Sequence, residues 1–519
     1  MPSATPSEIA AAALAHWEHK LPGQKGKPRA QEEWTVYAAI VATRTTTATS
    51  NNMITVVSCA TGTKCTVVPP VNQGATATTL PPTADAILRD SHAEVLARRG
   101  LLRVLWHEVT MPSSNSNDHD DDNSNNNINN KDTRLLLLDR TPNSHRYQLR
   151  EDVQLHLYVS DSPCGDASIY SLDTATASKS ESHDKNVPPS DAVTLVSTER
   201  GNNNNNGLQF TGAKVIVSQE TKVSIQDCGG GSQASLLQDS RVARERVQLL
   251  GRLRTKSGRS NLQANQRSDS LSCSDKIVRW CVLGLQGRAL LHYLNEPIRL
   301  SSIVVSRDIR NHYSDNHTGA QWEALHRAIP NRIMAVKEEL RKGKADSGGN
   351  DTQELIVGLK KADAIDAPKV HLVEQMFSQG KACSEHVKDL FSRKRKHIDD
   401  NNAVKPKLSP TGVCLNWNMC DDSIELTVGA RGIRQGKKPK TEQDIFTLAS
   451  RLSRYGMWKM ACTISSAATY SEAKSSETRQ GDWRSVIFRC GPLAGWMVGS
   501  GQVSPTTYNE TAAPQSDVA

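Results

Sequence analysis

Residues 153–160 (VQLHLYVS) alternate apolar and polar side chains and lead directly into Asp161-Ser-Pro-Cys-Gly-Asp. The alternation predicts a strand. The Asp161–Asp166 segment predicts a helix start, with Ser162 as a natural N-cap, Pro163 at the first helical position and Cys164 in the first turn. A strand-to-helix junction with a cysteine at its tip sets the frame for the rest of the chain. Residues 33–43 (EWTVYAAIVAT) and 53–60 (MITVVSCA) read as paired strands, with ATGTKC as the turn after the second. Residues 134–140 and 301–306 read as further strands. Residues 92–106 are helical by period: Ala93, Leu96, Ala97, Gly100, Leu101, Val104 and Leu105 recur at helical spacing. Residues 275–294 read as a second helix, with Val278, Cys281, Val282, Leu285 and Ala289 on one face. Strands alternating with helices predict an α/β layered core.

Between these elements lie stretches too polar to bury themselves. Residues 113–132 carry one large apolar side chain, Ile128, and residues 172–206 end in a run of asparagines. With 343–352 and 393–410 they predict disordered insertions. Removing them reconciles a hydrophobic content of 37% and a mean hydropathy of −0.52 with a packed core. A chain of 519 residues would hold about three domains at ~150 residues each. The pattern instead reads as a 1–24 N-terminal segment, one domain over 25–510 and a 511–519 tail. No apolar run reaches the ~18 residues of a membrane span, and the start lacks a basic and apolar signal segment. An intracellular protein of the nucleus or cytoplasm is expected. The net charge of +8 suits a polyanion partner without demanding one. The 11 cysteines are odd in number and scattered, so they predict free thiols with a few metal ligands.

Three motifs carry chemistry. In Asp90-Ser-His-Ala-Glu-Val, Ser91 is an N-cap and His92 would open the helix, with Glu94 two residues on. Cys164 sits at the strand-to-helix junction. Cys273, in Ser272-Cys-Ser-Asp-Lys, again precedes a helix. At a helix N-terminus the macrodipole favours the thiolate, the form that binds metal. One histidine and two cysteines suit zinc and leave the fourth tetrahedral position for water, with Glu94 beside it as acid/base. A blander reading competes. Ser91-x-x-Glu94 is also a capping box, in which Glu94 only bonds back to the N-cap amide, and a single cysteine near a helix start is usually packing. The other cysteines, Cys65 among them, are assigned to packing or loops. Together, His-x-Glu and Pro-Cys at such a junction form the signature of zinc base deaminases.

On these motifs the chain resembles the adenosine-to-inosine editase family, and within it the branch acting on tRNA. Lys25-Gly-Lys-Pro, Glu33-Trp-Thr-Val, Thr61-Gly-Thr-Lys-Cys, Asp90-Ser-His-Ala-Glu-Val-Leu-Ala-Arg-Arg, Ser162-Pro-Cys-Gly-Asp-Ala-Ser and Ser272-Cys-Ser-Asp-Lys-Ile carry the likeness. Leu415-Asn-Trp, the Arg451-Leu-Ser-Arg segment, Tyr470-Ser-Glu-Ala-Lys and Gly495-Trp add weaker matches. The resemblance implies a cytidine-deaminase-like core with a central mixed sheet, metal-bearing helices on one face and a helical C-terminal extension. It implies one zinc on His92, Cys164 and Cys273, with Glu94 catalytic and Thr63 and Lys64 in the substrate pocket. It further implies a buried inositol hexakisphosphate held by Arg98, Arg99, Lys256, Lys276, Arg279, Trp280, Tyr470, Lys474, Arg484 and Trp496, joined by a lysine of 437–438. Lys256 and Asp90 would relay between that phosphate and the metal site. The implied reaction is hydrolytic deamination of adenosine to inosine in tRNA, alanine tRNA beside the anticodon, without an obligate protein partner. A double-stranded-RNA editor and a catalytically silent RNA-binding subunit are the alternatives. The segment Lys256-Ser-Gly-Arg-Ser departs from the branch's pattern and precedes a polar insertion at 261–269.

Overall fold

The computed structural model describes residues 4–21, 26–45, 52–68, 71–73, 77–111, 136–142, 144–171, 208–209, 214–215, 250–256, 268, 270–308, 319–342, 363–384, 408–421, 423–465, 470, 472 and 493. The expected insertions 113–132, 172–206 and 343–352 lie outside them, as do residues 393–407, most of 261–269, the tail 511–519, Lys474, Arg484 and Trp496.

A mixed sheet of eight strands forms the centre. In chain order its members are β1 (Tyr37–Thr45), β2 (Asn52–Thr61), β5 (Val153–Val159), β6 (Ser302–Ser306), β7 (Lys369–Val373), β8 (Val413–Asn418), β9 (Glu425–Val428) and β10 (Ile433–Arg434). The spatial order is β7-β6-β5-β1-β2-β8-β9-β10. β5, β6 and β7 run parallel, and every other neighbouring pair is antiparallel. Two short strands, β3 (Thr63–Cys65) and β4 (Asp90–His92), make a separate antiparallel ribbon.

Both faces of the sheet are covered, which explains why β1 is buried along its first seven residues instead of alternating. Ala38, Ile40 and Ala42 face a large core that includes α2 (Ala93–Thr110) and α3 (Cys273–Leu283). Tyr37, Ala39 and Val41 face a smaller core under α1 (Pro6–Ala15), where Ile9, Ala13 and Trp17 are buried. The described part of the segment set apart at 1–24, residues 4–21, thus supplies a back layer to the sheet. A capping box between Thr5 and Glu8 starts α1. The C-terminal part adds α7 (Glu442–Thr447) and α8 (Arg454–Ala461), the latter packed on α2. No helix of the described residues is long and apolar enough to cross a membrane.

Most of the expected elements exist, with four corrections here and others at the site described below. The helix expected over 275–294 is two, α3 and α4 (Gly287–Leu291), because Gly284 adopts φ +93° and ends the first. The strand expected over 134–140 is confined to Leu138–Arg140 among the described residues. The turn expected at 61–65 contains β3. The insertion expected to end at 410 ends earlier, since Ser409–Pro410 pair in parallel with Glu33–Trp34.

Candidate metal centre and active site

The ribbon decides where the first motif sits. β3 pairs with β4 so that Thr63 faces His92, Lys64 faces Ser91 and Cys65 faces Asp90. That pairing holds His92 extended, and α2 begins only at Ala93 with His92 as its N-cap. The capping box expected from Ser91 and Glu94 therefore does not form. The Ser91 hydroxyl is buried without a hydrogen-bond partner, and the Glu94 side chain points inward, 2% exposed, with Oε2 3.3 Å from Cys273 Sγ. The second motif also departs from expectation. Gly165, at φ +112°, breaks the chain after Cys164, and only a three-residue 3-10 turn, Asp166–Ser168, succeeds it. Cys164 thus lies on the loop after β5 and not in a helical turn. The third motif is as expected: Ser272 caps α3 by accepting from the Asp275 amide, and Cys273 is the first helical residue.

These three elements bring His92, Cys164 and Cys273 together, with one donor atom of each within 4.8 Å of the others. Cys164 Sγ stands 3.7 Å from His92 Nδ1, close to the edge of about 3.6 Å expected for a nitrogen and a sulfur sharing one tetrahedral zinc. The electrostatics agree. Burial and the Lys256 ammonium oppose a proton on His92, but the facing Cys164 thiolate raises it to about 10. Cys164 is held well below the usual thiol range, first by its hydrogen bond with Cys273 and then by Lys256 and His92. A thiolate and an imidazole so placed stabilise a positive charge between them. The donor set fits zinc in chemistry and spacing.

Around this centre the other expected residues fall into groups. Asp90 accepts from the His92 amide (3.0 Å), Lys256 Nζ (2.8 Å), Ser270 Oγ (2.8 Å) and Lys276 Nζ. Burial works against its charge, but Lys256 and Lys276 outweigh it and hold the carboxyl well below the ordinary range. Lys256 Nζ also donates to Cys273 Sγ at 3.1 Å, so one ammonium joins the carboxylate to a metal-ligand candidate. Burial raises the Glu94 carboxyl, only partly offset by His92. Thr63 Oγ1 is buried without a partner on the strand facing His92. The Arg98 guanidinium lies 5.1 Å from the Trp280 ring. Arg99 donates to Leu452 O, and burial pushes the guanidiniums of Arg99 and Arg279 down to about 10. Tyr470 is buried. Lys437 and Lys438 are both exposed, so neither is seen in a buried cage.

Sequence reasoning missed two features. Cys65, assigned to packing, has its Sγ within 4.8 Å of an Asp90 oxygen and a His92 nitrogen. Its position in Thr-Lys-Cys would have shown this only with the β3–β4 register known. Behind the cysteines a buried ion network sets the two loops: Arg332 Nη1 bonds Asp275 (2.6 Å) and Arg327 Nε bonds Asp166 (3.0 Å). The Arg254 amide also donates to Asp275. Ser272-x-x-Asp275, a capping spacing, was the one local signal of it.

Fold and site together describe a mixed α/β enzyme with a one-histidine, two-cysteine centre fit for a metal ion and a buried carboxyl beside it. Residues 58–346, more than half of the chain, match the adenosine-deaminase (editase) domain, and the chain belongs to that family and is an adenosine deaminase. It is similar to the tRNA-specific adenosine deaminase 1 of Homo sapiens, 25% identical over 551 residues that cover 91% of this chain and 94% of the human one. The Drosophila melanogaster protein of that name is 32% identical over 330 residues, 63% of this chain and 59% of its own. A double-stranded RNA-specific editase B2 of Mus musculus is 28% identical over 279 residues, 54% of this chain but 27% of its own.

Proposed function

We propose that this enzyme hydrolyses adenosine to inosine in tRNA, with one zinc ion, beside the anticodon of alanine tRNA, on a core of the cytidine-deaminase kind. The observation that carries the reading is Glu94, buried with its carboxyl against Cys273. A capping glutamate would face solvent at the helix start; this one faces the donor cluster. Likeness to tRNA-specific deaminases over most of both chains favours tRNA, because the match to the double-stranded-RNA editase covers little of that protein. An RNA substrate of this kind places the work in the nucleus or cytoplasm.

His92, Cys164 and Cys273 would hold the zinc, which supplies a water activated near neutral pH and a Lewis acid. Glu94 holds or releases one proton at Oε2, and burial raises its carboxyl above the ordinary value, which favours a proton-holding role. It takes one proton from the attacking water and delivers it to the purine ring nitrogen as the oxygen bonds C6; it then passes the adduct's hydroxyl proton to the amino group, the C6–N bond breaks and ammonia leaves. Asp90, fixed by Lys256 and Lys276, positions His92 through its amide. Thr63 and Lys64, paired across the ribbon with His92 and Ser91, would line the substrate pocket. A target base in an anticodon loop is already largely unpaired, so extruding it costs little.

A buried inositol hexakisphosphate belongs to the same proposal. Arg98, Arg99, Lys276, Arg279 and Trp280 support it. Cations pressed into protein cost several kcal/mol each, and a polyphosphate converts that cost into charge-assisted hydrogen bonds. Lys256, between Asp90 and Cys273, would link the two sites.

Glu94→Gln tests the core of the reading. Inosine formation in alanine tRNA transcripts should fall by ~10²–10⁴, with zinc content and melting temperature unchanged. Near-wild-type turnover would overturn the catalytic role.

A further inference from the structure

The β9–β10 hairpin and the turn after it concentrate positive charge that the catalytic centre does not use. From Gly429 to Thr441 the chain reads GARGIRQGKKPKT, with Arg431, Arg434, Lys437, Lys438 and Lys440 and no acidic residue. All five side chains are exposed, and among the described residues none of them makes a salt bridge. Two acids follow in the first turn of α7: Glu442, which is exposed, and Asp444, which caps the helix by accepting from the Lys440 and Thr441 amides. Five exposed cations outnumber these two acids, and their mutual repulsion favours an anion.

The hairpin is tied to the catalytic ribbon. Leu88 N donates to Gly432 O at 2.7 Å, and Thr66 Oγ1 donates to Gly429 O at 2.9 Å. Gly429 lies so close to Lys64 that an added Cβ would meet its Cγ at 2.9 Å. Lys64 precedes Cys65 on the strand paired with Asp90–His92, and Thr66 directly follows that strand. The cations are thus held at a set position relative to Glu94, on a surface a large substrate can reach.

We propose that this hairpin docks the phosphodiester backbone of the RNA outside the nucleotide being deaminated. The proposal rests on the tRNA reading above and adds the surface that takes the backbone. Exposed lysines bind phosphates as mobile point charges, and each contact releases counterions, so affinity falls with salt. Lysines near an edge strand also discourage edge-to-edge pairing, and the test separates the two roles.

The test uses the full chain and a triple variant, Lys437→Gln with Lys438→Gln and Lys440→Gln, and a second triple with Arg at the same positions. Binding of an alanine tRNA transcript is monitored by fluorescence anisotropy across a salt series. Expected are a Kd raised about tenfold or more in the Gln variant and a salt slope smaller by roughly two, with the Arg variant near wild type. KM should rise while kcat at saturating tRNA and melting temperature stay unchanged. Unchanged Kd and slope in the Gln variant would overturn the proposal, including the case in which that variant only aggregates more. So would loss of a bound inositol phosphate, read by mass spectrometry of the denatured variant against wild type, since the lysines would then serve the phosphate cage. If wild type binds tRNA with a slope the variant loses yet deaminates none, the surface stands and the tRNA-deaminase reading falls. Deamination by wild type with equal affinity in both proteins gives the reverse.

Discussion

A Cβ added at Gly165 would lie 2.2 Å from Ser272 Oγ and 2.4 Å from Ser274 Oγ, at a φ of +112° that other residues rarely adopt. Gly62, at φ +149°, is as constrained: a Cβ there would meet Ser91 O at 2.0 Å. These two glycines let the Cys164 loop approach α3 and let the chain before β3 approach β4. Gly165→Ala should therefore cost about 1–3 kcal/mol of stability and loosen the Cys164–Cys273 pair. Zinc content after dialysis, beside a urea melt, reads both; full zinc and an unchanged midpoint would show that the loop tolerates the strain. The residues of the donor cluster were legible in the sequence, because few side-chain types bind zinc and Pro-Cys at a strand end is distinctive. For Glu94 the sequence offered two readings, acid/base and cap. Ser91-x-x-Glu94 satisfies a capping box on paper, and only the β3–β4 pairing, which moves the N-cap to His92, removes that option.

At the scale of elements, His156 on β5 shows what burial does to a titrating group. Its ring bonds Thr43 Oγ1 at 3.0 Å and Ser302 Oγ at 2.8 Å, and burial, with His371, pushes it down to about 4. An unfolded histidine titrates near 6.5. The unfolded chain therefore binds the extra proton between those values, and stability is full above about 6.5 and lost as pH falls towards 4. The loss from this group can reach about 3 kcal/mol. Urea unfolding at pH 7 and pH 5 should show a drop about 2 kcal/mol smaller in His156→Gln than in wild type; equal drops would exclude His156 as the source. On the same face of the sheet, α1 carries Ile9 and Ala13, and the π-helical turn after it carries Trp17, into the smaller core, where Trp17 lies 5.2 Å from the Phe377 ring and 5.3 Å from the Tyr37 ring. Trp17→Ala should cost about 3–5 kcal/mol, visible as a lowered melting temperature. A change within error would mean that α1 is not needed to cover the sheet.

At the scale of the molecule, the sheet separates two cores, and the donor cluster lies on the side of the larger one. There the charges are held in a chain: Asp166 and Asp275 pair with Arg327 and Arg332 behind the cysteine loops, and Asp90 pairs with Lys256 and Lys276 in front. Arg99 and Arg279 belong to the same side. If they face a buried polyphosphate, Arg99→Glu with Arg279→Glu should abolish soluble expression, since attraction becomes repulsion inside the protein. Mass spectrometry of denatured wild type should then find a phosphate-rich ligand. Normal yield of the variant and no such ligand would exclude a buried polyphosphate.

The alternation of strands and helices, the apolar face of α2, the four residues of the reactive cluster and the family are all legible in the chain before it folds. These are local or compositional properties: a period, a turn residue, a scarce donor type. Which partner each charged group takes is settled only by packing. Lys256 meets Asp90 across 166 residues of chain, and Cys273 meets Glu94 across 179. No spacing rule reaches that far, because such contacts are chosen by how the sheet stacks its layers and by which polar groups must be satisfied once buried. The same packing set aside the competing cap reading of Glu94, broke an expected helix at Gly284 and left Lys437 and Lys438 on the surface.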